Sequence, residues 1–94
     1  MTPALFITAL LLAGGGPGDD HIYVCDGTDI VRTQFEDGYM YLRLGRESMI
    51  LLRAISGSGA RYTDGRTVFW IKGRAATLDD GNGRVRKCRV TDRG

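Results

Sequence analysis

Residues 39–44 show the cleanest alternation in the chain: Met40, Leu42 and Leu44 fall on one side, and Tyr39, Tyr41 and Arg43 on the other. A period of two is the mark of a strand with one buried face. The same reading places strands at 21–25, 30–35, 48–54, 61–63, 67–72, 75–78 and 85–90. Within 30–35, Val31, Thr33 and Phe35 share a face. The run 48–54 is more continuously apolar, which predicts cover on both of its faces in places. Between these segments stand Asp26-Gly27, Glu36-Asp37-Gly38, Gly45-Arg46-Glu47, Asp64-Gly65 and residues 79–83, all rich in the residue types that turn a chain. No segment after the N-terminal region carries a helical period. About eight short strands at regular spacing predict an all-β barrel or sandwich, and eight strands can close with side chains filling the interior.

The N-terminal segment departs from this pattern. Residues 4–13, ALFITALLLA, form an apolar run of signal-peptide length, followed by three glycines and Pro17. It is too short to span a bilayer as a helix. Residues 1–18 therefore read as a signal peptide and leader, and residues 19–94 as one domain. Leu12-Ala13-Gly14 would lead into a lipid-modified cysteine, but Gly15 occupies that place, so no lipid anchor forms there. The expectation is a soluble periplasmic or secreted protein.

Composition removes several function classes. Thirteen basic against eleven acidic residues give a net charge of only +2, and the basic residues are scattered, which argues against nucleic acid. The two cysteines, Cys25 and Cys88, flank the domain, and an even count in an exported chain argues for a disulfide. A metal site is disfavoured, because His21 is the only histidine and no ligands cluster. On the chain-entropy account, a link across this separation stabilises by roughly 4 kcal/mol, which matters in a domain with so small a core. No cysteine–histidine pair and no phosphate-cradling glycine pattern is present, so neither an enzyme nor a cofactor is expected.

The most informative stretch is SGSGARYTDGRTVFWIKGRAA at residues 56–76. Gly57 and Gly59 allow positive φ and leave a loop whose side chains are mainly hydroxyls. Asp64-Gly65 between strand-like residues is a strong hairpin signal. A hairpin centred there folds the Ser58 loop back beside Lys72, bringing a hydroxyl and an ammonium to one rim. Taken alone, Lys72 is an ordinary solvated strand end and Ser58 ordinary turn chemistry. Arg61 and Tyr62 read as a structural pair that orients the loop. Phe69 and Trp70 alternate, and Trp70 is expected in the core. His21 reads as a residue near a frayed terminus, and Tyr39 and Tyr41 as an outer aromatic face.

The runs SGSGARY and FWIKG, the opening YVCDG at residues 23–27 and the late Cys88 resemble the periplasmic and membrane-bound inhibitors of C-type lysozyme. The resemblance spans residues 23–88. It implies a small eight-stranded antiparallel β-barrel clasped by one disulfide, with C-type lysozyme as partner. It also implies that Ser58 and Lys72 enter the lysozyme cleft, with Gly57, Gly59, Arg61 and Tyr62 supporting the loop. The missing lipidation cysteine fits the soluble periplasmic branch. Such lysozymes are generally basic and this chain is slightly basic too, so long-range attraction is weak. Glu36-Asp37 or Asp79-Asp80 would then supply the acidic contacts. The alternative reading is a small-ligand or cell-envelope binding barrel, which requires an interior not filled by side chains.

Overall fold

The two-residue period predicted for Tyr39–Leu44 is the pattern observed: Met40 and Leu42 are buried, and Tyr41 and Arg43 are exposed. The computed structural model describes residues 19–91, so the signal-peptide reading of residues 1–18 and the Gly15 position lie outside the described residues. Eight strands follow in chain order: β1 (Asp19–Cys25), β2 (Asp29–Phe35), β3 (Tyr39–Leu44), β4 (Glu47–Ala54), β5 (Ala60–Thr63), β6 (Val68–Lys72), β7 (Ala75–Asp79) and β8 (Val85–Val90). Each pairs antiparallel with its neighbour, and β8 returns to β1, closing the barrel. Closure removes every exposed edge, which an open sheet of short strands would carry as unpaired backbone groups.

One residue in two points inward, and these side chains fill the interior. Phe69, Met40, Leu42, Leu51, Val31 and Cys25 are the largest fully buried residues, joined by Tyr23, Tyr62, Leu78 and Cys88. Tyr23 meets Phe69 edge-on at 5.0 Å between ring centroids, and Phe35 meets Tyr62 at 5.5 Å. Burial lifts the Tyr23 phenol above its usual pKa. A filled interior removes the physical basis of the ligand-holding alternative.

The closing seam is short. β1 and β8 pair over Tyr23↔Val90, Val24↔Arg89 and Cys25↔Cys88, and the last of these pairs is the predicted disulfide. The bridge thus lies in the core and joins the ends of the domain across a ladder of only three residue pairs. Beside it, Asp26 accepts from the Lys87 backbone N–H at 3.0 Å, and Arg86 meets Asp29 at 2.9 Å.

Three expectations are corrected. The apolar run in β4 is covered on one face only: Leu51 is buried, whereas Ile50 and Leu52 are exposed. A single-layered barrel has one interior, and among the described residues nothing packs outside β4. Trp70 is not in the core. Phe69 takes the inward position, at 0% exposure, and Trp70 faces outward on β6. His21 is not frayed: it lies in β1 opposite Thr33, its carbonyl accepts from the Thr33 hydroxyl at 3.0 Å, and its ring lies 5.8 Å from Phe35. The outer aromatic face appears as expected, with the Tyr39 and Tyr41 rings edge-on at 5.7 Å.

Candidate functional site

The register decides which turns share an end of the barrel. Ala60 pairs with Ile71 and Lys72 with Ala75, so residues 55–59 and the Gly73-Arg74 turn lie at the same mouth. The Glu36-Asp37-Gly38 turn is there too, with the Arg53 N–H donating to the Gly38 carbonyl at 2.9 Å. Asp79 pairs with Val68 and Val85, which places Asp79-Asp80 at the opposite mouth with Asp64-Gly65. The hairpin predicted at Asp64-Gly65 forms, and its Asp64 side chain accepts from the backbone of Arg66 at 2.9 Å and Thr67 at 2.8 Å. These bonds hold the Asp64 carboxyl below its usual pKa.

The serine loop is pressed against β6. Gly59 adopts φ +67°, and a Cβ built there would collide with the Ile71 carbonyl oxygen and touch Cγ of Lys72. Only glycine meets both demands. Gly57 does not: its φ is not positive and no atom stands within 4 Å of an added Cβ. Of the two glycines expected to shape the loop, Gly59 is the one the geometry requires.

Ser58 is held by its backbone. Its carbonyl accepts from the indole N–H of Trp70 at 2.9 Å and from the Ser56 hydroxyl, and its own N–H donates to Ser56 Oγ at 3.3 Å. Among the described residues the Ser58 hydroxyl makes no hydrogen bond, and the side chain is exposed. Lys72 is exposed at the end of β6. Its Nζ stands 4.4 Å from the centre of the Trp70 ring, within cation–π range. Among the described residues its ammonium joins no ion pair. One rim therefore offers a free hydroxyl and a free ammonium with a tryptophan in contact with both residues.

The supporting residues are arranged differently from expectation. Tyr62 points into the core at 6% exposure, and the cation over its ring is Arg53, at 5.6 Å. Arg61 is on the outer face, opposite Ala54 and Trp70. Neighbouring strand residues face opposite ways, so Arg61 and Tyr62 do not pair. Sequence reasoning also missed two residues. Trp70 shares a face with Lys72, two positions on, so an outward lysine already implied an outward tryptophan. Ile55, 98% exposed beside the serine loop, had no pattern to reveal it, since it lies past the end of β4.

Among the described residues no group of histidine, cysteine or acidic side chains is arranged to hold a metal ion. Glu36 accepts from Gln34 Nε2 at 2.9 Å and stays at the mouth that carries Ser58 and Lys72. Asp80 is occupied elsewhere, accepting from the backbone of Asn82 at 2.7 Å and Arg84 at 3.3 Å. Of the two acidic turns, Glu36-Asp37 is the one placed to assist the rim.

Known proteins share this fold. The structure is similar to that of Pseudomonas aeruginosa MliC in its crystal complex with hen egg white lysozyme: TM-score 0.58 and 24% identity, covering 95% of this chain and 100% of that one. That likeness speaks for the barrel. No curated protein matches the chain. Residues 23–85 match the family described as membrane-bound lysozyme-inhibitor of c-type lysozyme, MliC. The matched segment runs from the core tyrosine of β1 to the start of β8, well over half of the sequence, and the chain belongs to that family of lysozyme inhibitors.

Proposed function

We propose that this inhibitor blocks C-type lysozyme by carrying Lys72 and Ser58 into the active-site cleft. The observation that carries the reading is that both side chains stand at one mouth with their polar atoms unspent. A C-type lysozyme cleft holds two carboxyl groups, one kept protonated and one ionised. The Lys72 ammonium supplies three donors and a full charge to the ionised group, and the Ser58 hydroxyl donates or accepts as the protonation state requires. Each charge-assisted hydrogen bond contributes about 1.5–3 kcal/mol net. The same side chains occupy the space of the sugar. Exposed Ile55 adds apolar contact at the rim, and Glu36 and Asp37 meet the positive surface of a basic lysozyme.

Residues 1–18 serve in this reading as the export signal, delivering the barrel to the periplasm or outside the cell without a lipid at Gly15. The test is lysis of peptidoglycan by C-, G- and I-type lysozymes with purified protein, and binding to the C-type enzyme with its cleft empty or filled by a chito-oligosaccharide. The reading expects inhibition of the C-type enzyme and an apparent Kd that rises with the saccharide. Unchanged binding to a filled cleft would contradict it.

A further inference from the structure

We infer that Trp70 is the positioning residue of the inhibitory site, fixing Ser58 and Lys72 in their binding arrangement before lysozyme arrives. The inference rests on the reading that these two residues face lysozyme, and adds to it the group that holds them. The Trp70 side chain touches both. Its indole N–H donates to the Ser58 carbonyl at 2.9 Å, and its ring lies 4.4 Å from the Lys72 Nζ.

The chemistry of each contact suits a site waiting to be used. A carboxylate beside Lys72 would hold it equally well, but it would neutralise the charge and occupy donors. An aromatic face attracts the cation through its quadrupole and leaves all three N–H groups for another acceptor. At Ser58 the tether goes to the carbonyl, so the loop is pinned while the hydroxyl stays free. A lysine free to rotate loses side-chain entropy on binding, and a flexible loop loses more, so prior ordering strengthens association. The local sequence provides the room. Across the ladder from Lys72 and Trp70 stand Ala75 and Thr77, whose short side chains leave an open groove beside the indole.

Two variants separate the contacts. Trp70→Phe keeps a ring face for the cation and removes the N–H; Trp70→Leu removes both. Trp70 lies outside the core, so both variants are expected to keep the barrel, checked by thermal melting. In the free wild-type protein the Lys72 ε-methylene protons should resonate upfield under the indole ring current. That shift should shrink in the Phe variant and vanish in the Leu variant. Inhibition of C-type lysozyme should weaken roughly tenfold in Trp70→Leu, with Trp70→Phe in between. In a Lys72→Ala background the loss from Trp70→Leu should fall markedly, because part of it acts through Lys72. A Leu variant that loses the upfield shift yet inhibits like wild type would overturn the inference. So would a loss of equal size with Lys72 present or absent, since Trp70 would then act as a contact in its own right. If Lys72→Ala and Ser58→Ala inhibit fully, the reading of the site fails instead, whatever the shift in the free protein.

Discussion

Gly57 and Gly59 look interchangeable in SGSGARY, and the structure gives them unequal work. Gly59 carries the positive φ and the close approach to Ile71, whereas Gly57 stands in open space. Gly59→Ala should lower stability by at least about 1–2 kcal/mol, the cost of forcing an L-residue into the left-handed region. For a domain of this size that is a fall in Tm of several degrees, accompanied by weaker lysozyme inhibition as the loop shifts. Gly57→Ala should melt like wild type. Equal melting of the two variants would mean that the loop relaxes without Gly59. The placement of Ser58 and Lys72 at one mouth was legible in the sequence, because a hairpin signal at Asp64-Gly65 fixes what lies across from what. The outward position of Trp70 is not legible from its bulk, which reads as core material. The parity it shares with Lys72 outweighs bulk: two residues apart on a strand, both face the same way.

At the scale of elements, every strand was visible as a short apolar or alternating run with glycine or aspartate soon after its end. What the pattern left open was how many faces each strand buries. The apolar run in β4 predicted cover on both sides, yet Ile50 and Leu52 face outward, since a closed barrel of one layer has a single dry side. Closure itself depends on the β1–β8 seam, where Cys25 and Cys88 sit directly opposite. Replacing both cysteines by serine, or reducing the bridge, should lower unfolding free energy by about 2–4 kcal/mol in a denaturant melt. A reduced barrel of unchanged stability would show that the ladder closes the seam without help.

Across the whole molecule the two mouths do different things. At the mouth away from the candidate site, turn carboxylates are committed to structure. Asp26 bonds the Lys87 backbone and Arg84, Asp64 caps its own turn, and Asp80 caps the last one. Backbone hydrogen bonds, chiefly those from Lys87, Thr67 and Asn82 respectively, hold all three carboxyls below their ordinary pKa. The unfolded chain therefore binds these protons first as pH falls. Their stabilisation is complete above about pH 4, the ordinary aspartate value, and is lost as pH drops through the lower folded values. Melting temperature should follow that course, and Asp80→Ala should lower it at pH 7 while leaving lysozyme affinity within about twofold. A variant at Asp80 that loses inhibition without losing stability would contradict this division. At the mouth with Ser58 and Lys72, by contrast, the serine hydroxyl and the lysine ammonium are left uncommitted among the described residues. The sequence showed both sets of residues, but only the register sorted them into two ends.

The central claim concerns the ammonium at that open mouth, and affinity of single variants for a C-type lysozyme tests it most directly. Lys72→Ala is exposed and outside the core, so its Tm should match wild type. Its Kd should rise by a factor corresponding to about 2–5 kcal/mol, at least thirtyfold and no less than the rise for Ser58→Ala. A folded Lys72→Ala protein that binds lysozyme as tightly as wild type would contradict the account.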